Sequence, residues 1–218
     1  MSGTKARALE QHAQRHGFGY LCYDARGHGS SSDKFEDTDI QHWYQDAVTA
    51  MSLAPCKRHV LVGSSFGGWQ ALHLAVQQPQ QVAGLVLVAP ALDITQQFWH
   101  GLSAEQQQQA QQTGRVSLGS SYMDDGQIMV KMQFFEAAKP FLLLDKLQQL
   151  QVSCPVRILH GVQDDTVPVA TSQQLFEQLP ARDMALTLVK DGDHRLSRKH
   201  DLQLLLSTVS DVLQHVAG

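Results

Sequence analysis

The sequence predicts an α/β fold: a mostly parallel sheet with helices on both faces. Short apolar runs alternate with helical patterns along nearly the whole chain, the signature of strands joined by helical crossovers. One run, VAGLVLVAP at residues 82–90, is apolar without interruption, as a strand covered on both faces must be. Several runs lead into polar, turn-rich loops, and in an open parallel sheet such loops build the ligand crevice.

In chain order, residues 4–16 read as an amphipathic helix and residues 19–23 as a strand, followed by the turn-rich DARGHGSSS. Thr38 with Gln41 three residues later has the form of a capping box. Ile40, Trp43, Tyr44, Ala47, Val48 and Met51 follow at the spacing of one helix face, expected to cover the sheet. RHVLVG at 58–63 is a strand. Phe66 opens a helix with Trp69, Leu72, His73 and Val76 on one side, ended by Pro79. The run at 82–90 is expected at the centre of the sheet. PVRILHG at 155–161 and MALTLV at 184–189 are two further strands, separated by a helix near 169–179. Leu202, Leu205, Leu206, Val209, Val212, Leu213 and Val216 recur every three or four residues and form a terminal helix.

Residues 91–150 break the alternation with EQQQQAQQ, LGSSYMDDG and an apolar set, and read as a small helical cap inserted into a single domain covering 1–218. The glutamine run is a solvated helix face or surface segment. Phe98, Trp99, Met129, Met132, Phe134, Phe135 and Phe141 either wall an apolar acyl site or pack a core.

Composition narrows the partners. A net charge of −4 lacks the basic field from which nucleic-acid binding draws its affinity. Nucleic acid and anionic membrane surfaces are therefore not expected partners. The longest apolar stretch, 82–92, contains Gly84 and Pro90 and falls far short of the ~20 residues that cross a bilayer, so no stable membrane insertion is expected. MSGTKARALEQ has no apolar core of the kind a secretory signal needs. Cys22, Cys56 and Cys154 are odd in number and lack short metal-ligand spacing, which suits buried free thiols in a reducing compartment. The chain is expected to be intracellular: mitochondrial if a transit peptide lies upstream of Met1, otherwise cytoplasmic. Asp124-Asp125 and Asp191-x-Asp193 lack the spacing of known cation sites, so no metal and no cofactor are expected.

The sharpest chemical signal is Gly63-Ser64-Ser65-Phe66-Gly67-Gly68, between an apolar strand and an amphipathic helix. At that turn a serine stands on a strained bend, and side chains at Gly63 and Gly67 are expected to collide with neighbouring backbone. The Ser65 hydroxyl then projects at a helix start, where N–H groups favour developing negative charge. The plain alternative is a passive serine in a glycine-rich turn. Serine is a weak nucleophile near neutral pH, so a base must take its proton and a carboxylate must orient that base. Asp164, in the loop after 155–161, and His194, after 184–189, occupy strand ends that converge on the same crevice. The order serine, acid, histidine fits this fold.

Asp165 competes with Asp164 and is assigned to the loop instead. His28, His73 and His160 compete with His194. His73 lies on an apolar helix face, His28 sits in a turn, and His160 is expected to brace the acid loop rather than titrate. In DARGHGS, an Asp24–Arg26 pair is expected to tie the loop down.

With YDARGHGSSS, VGSSFGGW, LHGVQDDTVP and DGDHRLS in this order, the sequence resembles the α/β-hydrolase superfamily over essentially its full length. It is most similar to the branch of mitochondrial palmitoyl-protein thioesterases and acyl-glucuronide esterases, with related bacterial serine hydrolases. GTKARALEQ near the start and DHRLSRKHDLQLL after the base extend the likeness. The resemblance implies Ser65 as nucleophile, Asp164 as acid, His194 as base, and esterase or thioesterase activity on a small acyl ester or S-acylated substrate. A peptidase is disfavoured, since nothing indicates a propeller or other gating domain.

Members of this superfamily begin with further strands and a loop that donates one oxyanion N–H. Phe66 supplies the donor after the nucleophile, and no residue here is expected to supply the other. The N-terminal strands are thus expected to be missing, making the chain an incomplete version of a longer protein or a weakened enzyme. The alternative function is a ligand-binding or interaction protein that keeps the fold and turns over little.

Overall fold

The structure is a computed structural model that describes residues 3–119 and 126–217. By its internal contacts the chain divides into two units: Met1–Tyr23, Ala50–Leu92 and Leu143–Gly218 in the first, Asp24–Thr49 and Asp93–Leu142 in the second. Residues 143–150, expected in the inserted segment, thus group with the first unit, and 24–49 group with the second.

The first unit is built on a four-stranded parallel sheet. Its strands are β1 (His59–Ser64), β2 (Val82–Val88), β5 (Val156–Gly161) and β6 (Met184–Val189), in the order β1-β2-β5-β6. β2 lies inside the sheet, and all seven of its residues are buried. Successive strand residues face opposite sides, so both faces of β2 must be covered. One face is closed by α1 (Thr4–His16) and α8 (Lys199–Ala217): Val86 and Val88 share a core cluster with Leu9, Leu205, Val209 and Val212. Gly84 belongs to this face, and a Cβ there would lie 2.5 Å from the Val212 side chain. Helix α3 (Phe66–Gln77) packs on β1 and β2, and α7 (Val169–Gln178) on β5 and β6. Trp69 and Leu72 of α3 are fully buried.

Residues 19–23, expected as a strand, form none. Extended chain becomes a strand only when a neighbour completes its hydrogen-bond ladder, and this segment joins neither sheet among the described residues. Tyr20, Leu21 and Tyr23 are exposed there, and the Tyr20 hydroxyl donates to the Ala6 carbonyl at 2.9 Å.

In the second unit, α2 (Ile40–Leu53) starts at the expected place but with a different cap. Asp39 Oδ1 accepts from the N–H groups of Gln41 (3.0 Å) and His42 (3.2 Å), whereas the Thr38 hydroxyl donates backwards to Phe35 O. Aspartate one residue nearer the helix meets its first free N–H groups, and Thr38 is left to close the preceding turn. Arg26 also finds another partner than expected: its Nε donates to Asp46 Oδ1 on α2 at 2.8 Å. Its backbone N–H donates to Asp46 Oδ2, so two parallel bonds favour that carboxylate over Asp24, which accepts from Ser30 N–H.

The segment expected as a helical cap contains α4 (Ile94–Gly101), α5 (Ala104–Thr113) and α6 (Met132–Glu136), but also an antiparallel pair, β3 (Arg115–Gly119) with β4 (Gln127–Lys131). The pair buries Val116, Leu118 and Val130, an alternation too short to register against the surrounding helical pattern. α5 carries the glutamine run and buries only Ala110, with a capping box between Ser103 and Gln106. Asp124-Asp125 lies outside the described residues. Cys154 is buried and Cys22 partly so, but Cys56 is exposed, contrary to the expectation of three buried thiols.

Candidate active site

Three loops leave the C-terminal ends of β1, β5 and β6, and each carries one residue of the expected constellation. After β1 the chain turns so sharply that Ser65 adopts φ 54° and ψ −121°, a conformation unfavourable for a residue with a Cβ. Neighbours hold it there. Ser65 N–H donates to Val88 O at 2.8 Å, and Ser65 O accepts from Gly68 N–H (2.9 Å) and Ala91 N–H (3.0 Å). A Cβ on Gly63 would stand 2.3 Å from Gly67 O, so that glycine is sterically required. Gly67 differs from expectation: a Cβ there meets nothing within 4 Å. The second steric demand falls on Gly68, whose Cβ would lie 2.8 Å from Pro90 Cβ. Sequence reasoning missed this because Pro90 closes on the helix only through the fold.

Asp164 sits in the loop after β5 with a side chain fully shielded from solvent. A buried carboxylate requires donors on both oxygens. Oδ1 accepts from Thr166 N–H and Val167 N–H, both at 2.8 Å. Oδ2 lies 2.8 Å from His194 Nδ1 and 3.1 Å from His160 Nε2. Asp165 is exposed and accepts from the Thr166 hydroxyl. Asp164, not Asp165, faces the histidine.

His194, in the loop after β6, is buried, and its Nε2 lies 3.0 Å from Ser65 Oγ. A carboxylate only accepts, so Nδ1 carries the ring hydrogen and Nε2 is left to accept from the serine hydroxyl. The structure therefore brings Ser65, His194 and Asp164 into one hydrogen-bonded chain. Two of the competing histidines stay out of it: His28 stacks edge-on against Phe35 and Trp43, and His73 is buried on α3, while His160 reaches it only at the carboxylate.

The acid and base loops are seated on each other through backbone. A Cβ on Gly161 would lie 2.3 Å from Gly192 O, and Gln163 N–H donates to that oxygen at 2.8 Å. The glycines of LHG and DGD were legible as turn residues, but not as partners. The base loop is further held by Arg198, which bonds Asp191 and Asp201, and by Lys5 Nζ, which donates to Arg195 O.

The sequence matches a family described as Hydrolase_4, serine aminopeptidase S33, over residues 3–133. That match includes Ser65 and stops before Asp164. The human mitochondrial palmitoyl-protein thioesterase ABHD10 is 34% identical over 217 residues, spanning 100% of this chain and 70% of that protein. Among solved structures, mouse α/β hydrolase domain-containing protein 10 superposes with a TM-score of 0.89 at 33% identity, covering 99% of this chain and 86% of that one. A hydrolase described as putative from Agrobacterium vitis S4 gives 0.90 at 33% identity, covering 97% and 83%. This chain belongs to the α/β-hydrolases.

Within that family it falls in the palmitoyl-protein thioesterase branch. Phe66 is the first residue of α3, so its N–H lies at the positive end of the helix dipole. In the second unit, the aromatic residues expected to wall an acyl site separate. Phe134 and Phe135 are buried, the latter 5.2 Å from the Trp99 ring. Trp99, Met132 and Phe135 line a groove of about 410 Å³, whereas Met129 is exposed and borders a different one. No helix among the described residues is long and apolar enough to cross a membrane.

Proposed function

We propose that this chain hydrolyses carboxylic esters and thioesters through an acyl-enzyme on Ser65, with His194 as general base and acid, Asp164 as the carboxylate that orients it, and Phe66 N–H as an oxyanion donor. One observation carries the reading: Ser65 Oγ, His194 Nε2, His194 Nδ1 and Asp164 Oδ2 form an unbroken chain of 3.0 and 2.8 Å contacts. Such a chain moves a proton off the alcohol as its oxygen attacks.

In the first half-reaction Ser65 Oγ attacks the acyl carbon and its proton passes to His194 Nε2. Asp164 stays ionised and stabilises the imidazolium. The tetrahedral oxyanion forms beside Phe66 N–H at the start of α3. It collapses when the alkoxide or thiolate leaves and takes the proton from Nε2. In the second, water loses a proton to Nε2 and attacks the Ser65 ester, and the acid departs as Oγ regains its proton.

The substrate class we favour is an S-acylated protein or another acyl thioester, supported by relatives named palmitoyl-protein thioesterases. The compartment we propose is intracellular, in keeping with mitochondrial relatives and with an unbridged, exposed Cys56. A fluorophosphonate probe tests the mechanism. It is expected to label the wild type and spare Ser65→Ala, and the variant should lose thioester and ester turnover by roughly four to six orders of magnitude. Equal labelling of both proteins would sink the assignment. Faster cleavage of an aminoacyl anilide than of an acyl thioester would favour the peptidase chemistry in the matched family's description.

A further inference from the structure

Behind the carboxylate stands a second histidine. His160 is the penultimate residue of β5, and its side chain has no solvent exposure. Nε2 lies 3.0 Å from Val167 O and 3.1 Å from Asp164 Oδ2, while Nδ1 lies 2.7 Å from the hydroxyl of Ser172 on α7. The partners decide the tautomer. A carbonyl and a carboxylate only accept, so Nε2 carries the hydrogen. A neutral ring then has a bare Nδ1, which accepts from the Ser172 hydroxyl.

We propose that His160 is a positioning residue for the acid: its Nε2–H is shared between Asp164 Oδ2 and Val167 O, and Ser172 locks the ring in the orientation that allows this. The proposal rests on the acyl-enzyme reading above and adds a residue to it. Burial pushes His160 below the ordinary histidine value, in keeping with a neutral donor. The titratable groups acting on its ring are Asp164, which favours charge, and His194, which opposes it. From α7 comes the uncharged Ser172 hydroxyl.

Sharing has a consequence. Oδ2 accepts two N–H groups, so part of its negative charge is committed to His160 rather than to His194. Removing that donor leaves the whole charge facing His194, which holds the imidazolium more tightly and moves the acid limb of kcat/KM to higher pH. A packing residue would not move that limb.

The test compares His160→Asn with His160→Gln. Asparagine places its amide near the Nδ1 position, keeping the Ser172 contact and losing the donor at Nε2. Glutamine reaches the Nε2 position. For a p-nitrophenyl ester, H160N is expected to show an acid limb raised by roughly half a pH unit and kcat lowered about tenfold, with KM within about twofold. H160Q should return the limb to its wild-type position. A limb that shifts equally in both variants, or in neither, overturns the proposal.

Thermal melts show whether both variants fold. If either does not, Ser172→Ala decides, because it keeps the ring and removes the lock. The expected result is a raised limb, because a ring free to turn shares its Nε2–H less fully with Asp164, and an unchanged limb overturns the proposal. Fluorophosphonate labelling of wild type against Ser65→Ala runs alongside. Labelling that survives S65A breaks the acyl-enzyme reading itself, whereas Ser65-dependent labelling with unmoved limbs breaks only the role of His160.

Discussion

The acid loop after β5 and the base loop after β6 leave adjacent strands at the same edge of the sheet, yet they are held by opposite means. The acid loop is fastened by donors gathered on and beside one solvent-shielded carboxylate: Thr166 and Val167 N–H to Asp164 Oδ1, and His160 to Val167 O. The base loop is fastened by charges: partly exposed Arg198 to exposed Asp191 and to buried Asp201, and Lys5 to a backbone oxygen. Backbone N–H bonds to a shielded carboxylate are little affected by salt, whereas exposed ion pairs are screened. The carboxylate proposed to keep its charge throughout turnover is thus pinned by the stiff device. His194, proposed to accept and return a proton, rides on the softer one.

The largest effect that would sharpen this contrast comes from Asp164→Asn. With the carboxylate gone, His194 is left in the wrong tautomer, and kcat is expected to fall by about 10⁴ with KM nearly unchanged, read from steady-state kinetics. A loss under tenfold would show that the acid loop does not orient the base.

Next comes Gly161→Ala, which strikes the junction of the loops. The added carbon lies 2.3 Å from Gly192 O, a backbone atom, so one loop must move. At an overpacking cost of about 1–3 kcal/mol, a melting temperature lower by roughly 3–10 °C is expected, together with a drop in kcat. Unchanged activity would mean the loops tolerate separation.

Smaller effects belong to the base loop. Arg198→Gln removes its clamp, and because partly exposed pairs contribute little, a loss of about 1–3 °C and a few-fold in kcat is expected. High salt should lower wild-type activity toward the variant's and leave the variant's unchanged.

The smallest effect is a pH dependence. Arg198 holds the Asp201 and Asp191 carboxyls below the ordinary carboxylate range. A depressed folded-state value contributes stability that is present above the unfolded value near 4 and lost as pH falls through the folded one. The stability gap between wild type and R198Q should therefore persist at neutral pH and close progressively as pH falls below the ordinary carboxylate value of about 4, measured by denaturant melts. A gap that widens in acid would refute the ion-pair account.

Local chemistry was legible where it is self-contained. The boundaries of α1, α3 and β6 follow from periodicity, and the seven buried residues of β2 from its unbroken apolar run. The candidate site was legible for a related reason: a nucleophile, its base and its acid each need a particular residue type at a particular strand end. Legibility ended where a residue's partner lies elsewhere in the chain. Residues 19–23 have strand-like composition and no ladder partner among the described residues. The Asp39 cap and the Arg26–Asp46 pair depended on which donor met which oxygen. The β3–β4 pair was hidden because five alternating residues per strand carry too little signal against neighbouring helices.

The succession of parallel strands along the chain from residue 58 on, the turn at Ser65 and the residue types of the three expected actors are properties of the sequence alone, set by local sterics and by the period of apolar side chains. Tertiary structure decided the rest: that Gly68 rather than Gly67 must lack a side chain, that Gly161 and Gly192 touch, and that two histidines meet one oxygen of Asp164. Those facts depend on distances between atoms far apart in the chain, and such distances exist only after the hydrophobic faces have closed.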